Sequence, residues 1–447
     1  MRLLRITTVP VSLQVLLRGQ LQYAAQNGYE VLAVSAPGAQ AEELRKEGIA
    51  HRAVRLTRKI QPLTDLLALL QLIFIMIRFK PHIVHTHTPK AGLLGMLAAW
   101  ICRVPVRLHT VAGLPLMEAV GLKKNILYLT ECLTYSCAHR VYPNSFGLLA
   151  YLEHHFNVFY RKFKVIGSGS SNGIDVNFFH ATPLLKANSR KLRETYGIPG
   201  HATVIGFVGR IVKDKGVHEL TGAFQQVLGI HPDCWLMLVG EAEPDLDPLD
   251  KKVEAFLKNH PRVIMPGFQK DVRPWMLAMD VLVLPSYREG FPNVVMQAAC
   301  LEIPCVVSDI TGCNELIAQR KTGLIVPPAN EKALAGALLE LISNRGAAKE
   351  YAHAAREYVI KHFEQQTFWQ ALLGEYHQQM AAARCRTAYT CYIKPFFDRL
   401  AALIMLAATV PLWLLVIPLL ALQNKGKVFF LADAARPERK TLLPLEI

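Results

Sequence analysis

Short apolar runs alternate with helix-length amphipathic stretches along most of the chain. Near the start, RLLRITTV leads into a helical pattern through LLRGQLQYAAQNG, and YEVLAVSA, LLALLQLIFIMI and PHIVHTH follow. Apolar runs of strand length separated by helices predict a parallel sheet covered on both faces. The rhythm pauses over residues 176–200, VNFFHATPLLKANSRKLRETYGIPG, which is polar, punctuated by Pro and Gly and poor in strand signal. That segment reads as a linker and the first piece of a second domain. Beyond it the alternation restarts with TVIGFVGR, VHELTGAFQQVLG and CWLMLVG, and it continues through VIMPGF, VRPWMLAM, VLVLPS, NVVMQAACLE, PCVVSD and TGLIVPP. Two doubly wound α/β domains are therefore expected, over residues 1–174 and 175–384, the second closing with helices from residue 331. Facing each other, they would leave a cleft outside the carboxyl ends of their strands, where open α/β sheets bind ligands.

Two apolar stretches stand apart. Leu66 to Ile77, between Arg58/Lys59 and Arg78/Lys80, is about a dozen residues long, too short for a bilayer, and predicts a buried or membrane-touching helix. Leu400 to Leu422 carries no charged residue and is flanked by Lys394, Arg399, Lys425 and Lys427. It is long enough to span, but Pro411 and Pro418 equally suit a kinked, re-entrant helix, and a core helix is the bland alternative. Residues 385–447 are thus expected to form a membrane-anchoring segment. The amino terminus, MRLLRITTVPVSLQVLLRGQ, is interrupted by Thr, Pro, Ser and Arg18, so no signal peptide is expected.

Composition narrows the partners. A net charge of +15 admits nucleic acid, an anionic membrane surface or a phosphorylated substrate. Basic residues are dispersed, without Lys/Arg runs or interleaved aromatics, so no nucleic-acid partner is expected. The nine cysteines include no CxxC pair and lie mainly in apolar segments, which suits reduced thiols in a cytosolic compartment.

Candidate chemistry gathers at predicted strand ends. In GFVGRIVKDKG, Gly209 ends a strand, and Arg210 and Lys215 follow where two cations could converge on one anion; solvated loop charges are the alternative. Neither GxGxxG nor GxxxxGK[ST] occurs there. In PSYREGFPNVVMQ, Ser286, Glu289 and Gly290 precede Phe291, Pro292 and Asn293 at a helix start. A carboxylate beside a close-approach glycine suits a polyhydroxylated ligand, whereas a plain helix cap is the alternative. In HIVHTHTPKAG, His85 and His87 share one strand face and suit cleft-facing hydrogen bonds better than a metal, since no third ligand lies at useful spacing. Asp245 and Asp247, in PDLDPLD, read as a solvated turn rather than an ion site, and no metal is expected.

Taken together, HTHTPKAG, VPVRLHTVAGLP, VYPNS, SNGID, GFVGR, DKG, VGE, PSYREGFPNVVMQA and TGLIVPP resemble the retaining glycosyltransferases of family 4. The resemblance covers residues 1 to about 380 and implies the GT-B fold of two facing Rossmann-like domains. It implies that Arg210 and Lys215 neutralise the diphosphate of a nucleotide-sugar, a UDP-sugar being expected, and that Glu289 positions the donor sugar. Asn172, Gly173, Gly209, Gly267, Phe268, Ser286, Gly290, Phe291, Pro292, Asn293 and Gln297 would complete the donor side, with His85, His87 and Gly113 on the acceptor side. The nucleotide-sugar would be a co-substrate, with no cofactor. The implied reaction moves a hexose or N-acetylhexosamine to a polyprenyl-diphosphate-linked acceptor in surface-polysaccharide assembly, at the cytoplasmic face of the inner membrane. A non-catalytic scaffold and a nucleotide-sugar epimerase of the same fold are the alternatives. Three positions depart from the family pattern: Gln297 replaces the second Glu of Glu-x7-Glu, Ala112 stands where His often precedes Gly113, and VPVSLQ replaces a Gly-Gly loop. The tail, from YIKPFFDRL to NKGKVFF, resembles the membrane segment of bacterial polyprenyl-phosphate sugar-phosphate transferases, with Pro395 and Lys427 at altered positions; their second activity is not expected here.

Overall fold

A computed structural model describes residues 1–57, 61–117, 119–243, 247–388, 396–401, 403–405 and 409. The chain divides into a compact unit, Met1–Met380, and a second one from Ala381 onward. The first unit holds two lobes, each built on a parallel six-stranded sheet.

In the amino-terminal lobe the strands are β1 (Arg2–Ile6), β2 (Glu30–Ser35), β3 (Ala50–Ala53), β4 (Ile83–His87), β5 (Val106–Val111) and β6 (Arg140–Pro143). Helices α1 (Gln20–Gln26), α2 (Ala39–Lys46), α3 (Pro62–Phe79), α4 (Pro89–Ile101), α5 (Gly121–Cys137) and α6 (Phe146–His155) connect and follow them. The sheet order is β3-β2-β1-β4-β5-β6. Winding therefore reverses between β1 and β4, and with right-handed crossovers α3, α4 and α5 share one face while α1 and α2 take the other. The central strands are apolar on both faces because helices cover both: Leu3, Leu4, Ile6, Ile83 and Val84 are all fully buried.

The second lobe repeats the plan. After α7 (Pro183–Thr195) come β7 (Thr203–Val208), α8 (Val217–Ile230), β8 (Cys234–Val239), α9 (Lys251–Asn259), β9 (Val263–Gly267), α10 (Arg273–Leu277) and β10 (Val281–Leu284). Then follow α11 (Asn293–Cys300), β11 (Cys305–Ser308), α12 (Cys313–Leu316), β12 (Leu324–Val326), α13 (Glu331–Ser343), α14 (Arg345–Phe363) and α15 (Gln365–Ala388). The order β12-β11-β10-β7-β8-β9 puts the reversal between β7 and β10. The first part of α15 returns to the amino-terminal lobe, where Tyr376 meets β1 and β4 through Arg5 and His85.

Two expectations need adjusting, and a third falls outside the described residues. The polar segment 176–200 contains α7, opened by Thr182, whose hydroxyl accepts from the Leu185 N–H, and by Pro183 at the first turn. The apolar run Leu66–Ile77 is the middle of the 18-residue helix α3, which among the described residues is the one helix long and apolar enough to cross a membrane. The anchoring helix expected at Leu400–Leu422 lies almost wholly outside the described residues.

Candidate active site

Both winding reversals face the space between the lobes, and each is lined by residues that leave the carboxyl ends of two neighbouring strands. In the second lobe these are the segments after β7 and β10. Lys215 Nζ donates to Glu289 Oε1 at 2.6 Å, and Ser286 Oγ donates to the same oxygen at 2.8 Å. Both Lys215 and Glu289 are largely enclosed and Ser286 is fully buried, so the carboxylate orientation is fixed by two donors rather than by solvent. Arg210, more open, donates from Nη1 to Glu243 Oε2 at 2.9 Å and lies 3.8 Å from Asp214. Asp214 also accepts from Arg288 at 3.2 Å, and its N–H donates to Asp247 at 2.6 Å. Asp247 thus serves as a loop acceptor, while Asp245 lies outside the described residues.

The turn that places Lys215 depends on one glycine. Gly216 has φ +69°, and a Cβ there would stand 2.1 Å from the Pro285 carbonyl oxygen at the end of β10. Only glycine lets the two strand ends approach closely enough for Lys215 to reach Glu289. Gly290 acts similarly between lobes: a Cβ would meet the Ala112 carbonyl oxygen at 2.1 Å and the Asn144 amide at 3.0 Å. The Glu289–Gly290 turn of one lobe therefore sits directly against the Ala112–Gly113 turn of the other. Phe291 and Pro292 are buried behind it, and Asn293 opens α11 with Gln297 one turn further on. Gly209 closes β7, and its N–H donates to the Val239 carbonyl at 3.0 Å. Gly267 ends β9 and Phe268 is exposed just beyond, at the sheet edge two strands from β7.

The amino-terminal reversal is different in kind. Thr8, after β1, and Thr88, after β4, share a hydroxyl hydrogen bond of 2.7 Å across it. Thr88 has φ 72°, ψ 146°, a backbone region disfavoured for a β-branched residue. Behind them His85 is fully engaged: Nδ1 lies 2.7 Å from the Tyr376 hydroxyl and 3.1 Å from Arg5 Nη1, while Nε2 lies 2.7 Å from Thr110 Oγ1. His87 stacks on His85, and neither of its ring nitrogens has a hydrogen-bond partner among the described residues. It lines a small cavity with Gln20, Thr110, Tyr142, Ser170 and Phe368. Burial, then the charge of Arg5, holds both imidazoles well below their usual pKa, hence neutral.

Asn172 and Gly173 lie in the crossover between the lobes. Asn172 Oδ1 accepts from Gln20 at 3.0 Å and from the Trp369 indole at 2.7 Å, and its amide donates to the Arg18 carbonyl at 2.9 Å. Gly173 packs so tightly on Phe363 and Gln365 that a Cβ would reach 2.7 Å from backbone oxygen. The structure thus joins Lys215, Ser286 and Glu289, sets Gly290 against Ala112, places Arg210 in the neighbouring cluster with Asp214 and Glu243, seats His85 and His87 at the opposing reversal, and gives Asn172 protein partners of its own. The Thr8–Thr88 pair and the Arg5–Tyr376 contact were not read from the sequence; the first had a signal in paired threonines at two strand ends, the second had none.

Two family models match the chain, one in each lobe. Residues 14–169 match a glycosyl transferase 4-like domain and residues 188–361 match glycosyl transferases group 1. The capsular polysaccharide biosynthesis glycosyltransferase CapM of Staphylococcus aureus is 33% identical over 84% of this chain and 97% of its own length. UDP-Gal:alpha-D-GlcNAc-diphosphoundecaprenol alpha-1,3-galactosyltransferase of Escherichia coli is 26% identical over 65% of this chain and 74% of its own. Among solved structures, Anabaena Alr3699/HepE in complex with UDP and glucose superposes with a TM-score of 0.71 at 20% identity, covering 85% of this chain and 100% of that one. The chain belongs to the group 1, family 4 glycosyltransferases and has their GT-B fold.

Proposed function

We propose that this glycosyltransferase moves a hexose or N-acetylhexosamine from a UDP-sugar to a polyprenyl-diphosphate-linked saccharide, with retention at the anomeric carbon, during bacterial surface-polysaccharide assembly at the cytoplasmic face of the inner membrane. The observation that carries this reading is the Lys215–Glu289–Ser286 cluster beside Arg210 at the β7/β10 reversal. Transfer breaks the bond from the anomeric carbon to the β-phosphate oxygen, leaving both electrons on the diphosphate. The acceptor oxygen bonds to that carbon, and its proton passes to the departing phosphate. Lys215 and Arg210 stabilise the charge that develops on the leaving group, in place before the reaction begins. Glu289, held by Lys215 and Ser286, accepts hydrogen bonds from donor-sugar hydroxyls. Gln297, one helical turn after Asn293, offers an uncharged partner for a ribose hydroxyl.

The donor and acceptor classes are supported by the names of the relatives: a capsular polysaccharide enzyme, and one using UDP-galactose with a diphosphoundecaprenol-linked acceptor. Leu400–Leu422 remains part of the reading as a membrane contact. The test is a screen of UDP-sugars with a lipid-linked GlcNAc acceptor, product mass being read by spectrometry. Transfer should occur with the wild type, and Lys215→Ala should lower kcat by roughly 10² to 10³-fold with unfolding unchanged. Donor binding without any transfer, or transfer unaffected by Lys215→Ala, would overturn it. A new nucleotide-sugar formed without acceptor would favour the epimerase.

A further inference from the structure

Helix α3 turns the wrong way for a soluble core. Ala68, Leu72 and Met76 face the sheet, but Leu63, Leu66, Leu70, Phe74 and Ile77, at helical spacing, face outward; Leu63 is 81% and Phe74 63% exposed. On the same sheet face, α4 packs between α3 and α5. Helix α5 repeats the inversion, exposing Leu122, Ile126, Leu129 and Leu133, while Glu131, Thr134 and Tyr135 lie inside. Trp100 and Ile101, at the end of α4, are exposed as well. Three neighbouring helices thus share one outward apolar layer, far more than the scattered single residues common on a protein surface.

The charges around it are mostly basic. Between Gln61 and Thr130 the acids are Asp65 and Glu118 alone. Asp65 is partly buried and paired with Lys90 at 2.8 Å. Arg78, Lys80, Arg103, Lys123 and Lys124 are all exposed. A water-facing apolar layer edged by cations complements a surface with acyl chains below and anionic headgroups above. A second copy of the same layer would instead bring these cations against one another.

We infer that the α3–α4–α5 face docks on an anionic bilayer, lying in its interface rather than crossing it. The fold makes this placement useful. Helices that follow parallel strands begin at the strands' carboxyl ends, so Leu63, Val120 and Leu122 sit at the cleft rim, whereas Trp100 and Arg103 lie at the far end. The Gly113–Val120 segment joins the candidate site to the start of α5, so the acceptor side of the cleft opens at the lipid boundary. This contact is independent of the one expected near Leu400–Leu422, and it requires no particular sugar or acceptor.

Full-length protein mixed with phosphatidylglycerol/phosphatidylcholine vesicles brominated on their acyl chains tests it. Acyl-chain bromines should quench Trp100, read as the quenching lost in Trp100→Phe. Leu66→Glu/Leu70→Glu/Phe74→Glu should abolish that component and weaken partitioning about tenfold or more. The separate variant Leu129→Glu should weaken it in the same direction, and Lys123→Glu/Lys124→Glu should weaken it by roughly fivefold per charge at low salt. Thermal unfolding of each variant shows whether the fold persists. Vesicle binding with Trp100 unquenched would assign docking to another part of the chain and overturn the proposal. So would concentration-dependent protection of Trp100 without lipid, which would mean that a second copy covers the face. Failure of sugar transfer with quenching intact would sink the proposed reaction and leave the docking face standing.

Discussion

The two lobes share a sheet order and differ in where they keep their ionisable groups. The second lobe presents them, paired, at the β7/β10 reversal: Arg210 with Glu243 and Asp214, Lys215 with Glu289, Arg288 with Asp214. The first lobe hides them. Arg5 lies wholly inside, bonded to Tyr376 and Gln20, and burial lowers its pKa. His85 and His87 are buried neutral, and burial drives His109 down to about 4. Glu131, on α5, is pushed up to about 7 by burial. One architecture thus supports two electrostatic roles. A partly accessible set of opposite charges can exchange partners when a diphosphate arrives, whereas the buried set, its histidines neutral, supplies shape and hydrogen bonds at the price of sensitivity to protonation.

The sharpest way to break the comparison is at the seam between the lobes. Gly290→Ala should reduce transfer by about 10²-fold, because relieving the overlap with Ala112 displaces the Glu289 turn by about an ångström and misaligns the reacting groups. Steady-state kinetics beside unchanged thermal unfolding would show this. If activity survives, the close approach of Gly290 to Ala112 is not required for catalysis.

A smaller effect distinguishes the interiors. The folded-state pKa of Glu131 exceeds its unfolded value, so its contribution is most favourable below the ordinary carboxyl range and is lost as pH rises towards 7. Glu131→Gln should therefore stabilise the protein by about 2–3 kcal/mol above pH 7 and have little effect near pH 4. Denaturant unfolding at several pH values measures it. The histidines run in the opposite direction. Their folded pKa values are depressed, so their contribution is present above about pH 6.5 and is lost on acidification. In the Glu131→Gln background, moving from pH 7.5 to 5.5 should cost about 1 kcal/mol each for His85 and His87. Replacing His87 with Asn should remove its share, and an unchanged slope would mean that His87 titrates normally.

What was legible in the sequence follows how local each cause is. Most strands, the central ones above all, appear as apolar runs because burial on both faces leaves little room for polar residues, whereas the edge strand β3, AHRA, is mostly exposed and carries no such signal. The Ser286–Glu289–Gly290 cluster is legible because its chemistry falls within a few residues, and Lys215 follows one strand end closely. Helix α7 was obscured because its polarity masks a sound amino-terminal cap at Thr182–Pro183. The extent of α3 was underestimated because Pro62 and Leu63 lie outside the continuous apolar run yet form its first turn. Nothing local signals that Arg5 meets Tyr376, 371 positions away, or that Asn172 is bonded by Gln20, Arg18 and Trp369 rather than left open to a ligand. The inverted polarity of α3 and α5 needs knowledge of which side the sheet lies on.

The lobes are also clasped away from the candidate site. Glu315, in the second lobe, accepts from the N–H groups of Phe146 and Gly147 at 2.8 Å each, so its carboxylate crowns the amino terminus of α6 in the first, and Lys270 reaches Glu43 at 3.1 Å. Contacts of this kind hold the two lobes to one another by charge-assisted bonds remote from the reacting groups. Weakening either latch should therefore speed the parting of the lobes and product escape more than bond making, which the viscosity dependence of kcat would read.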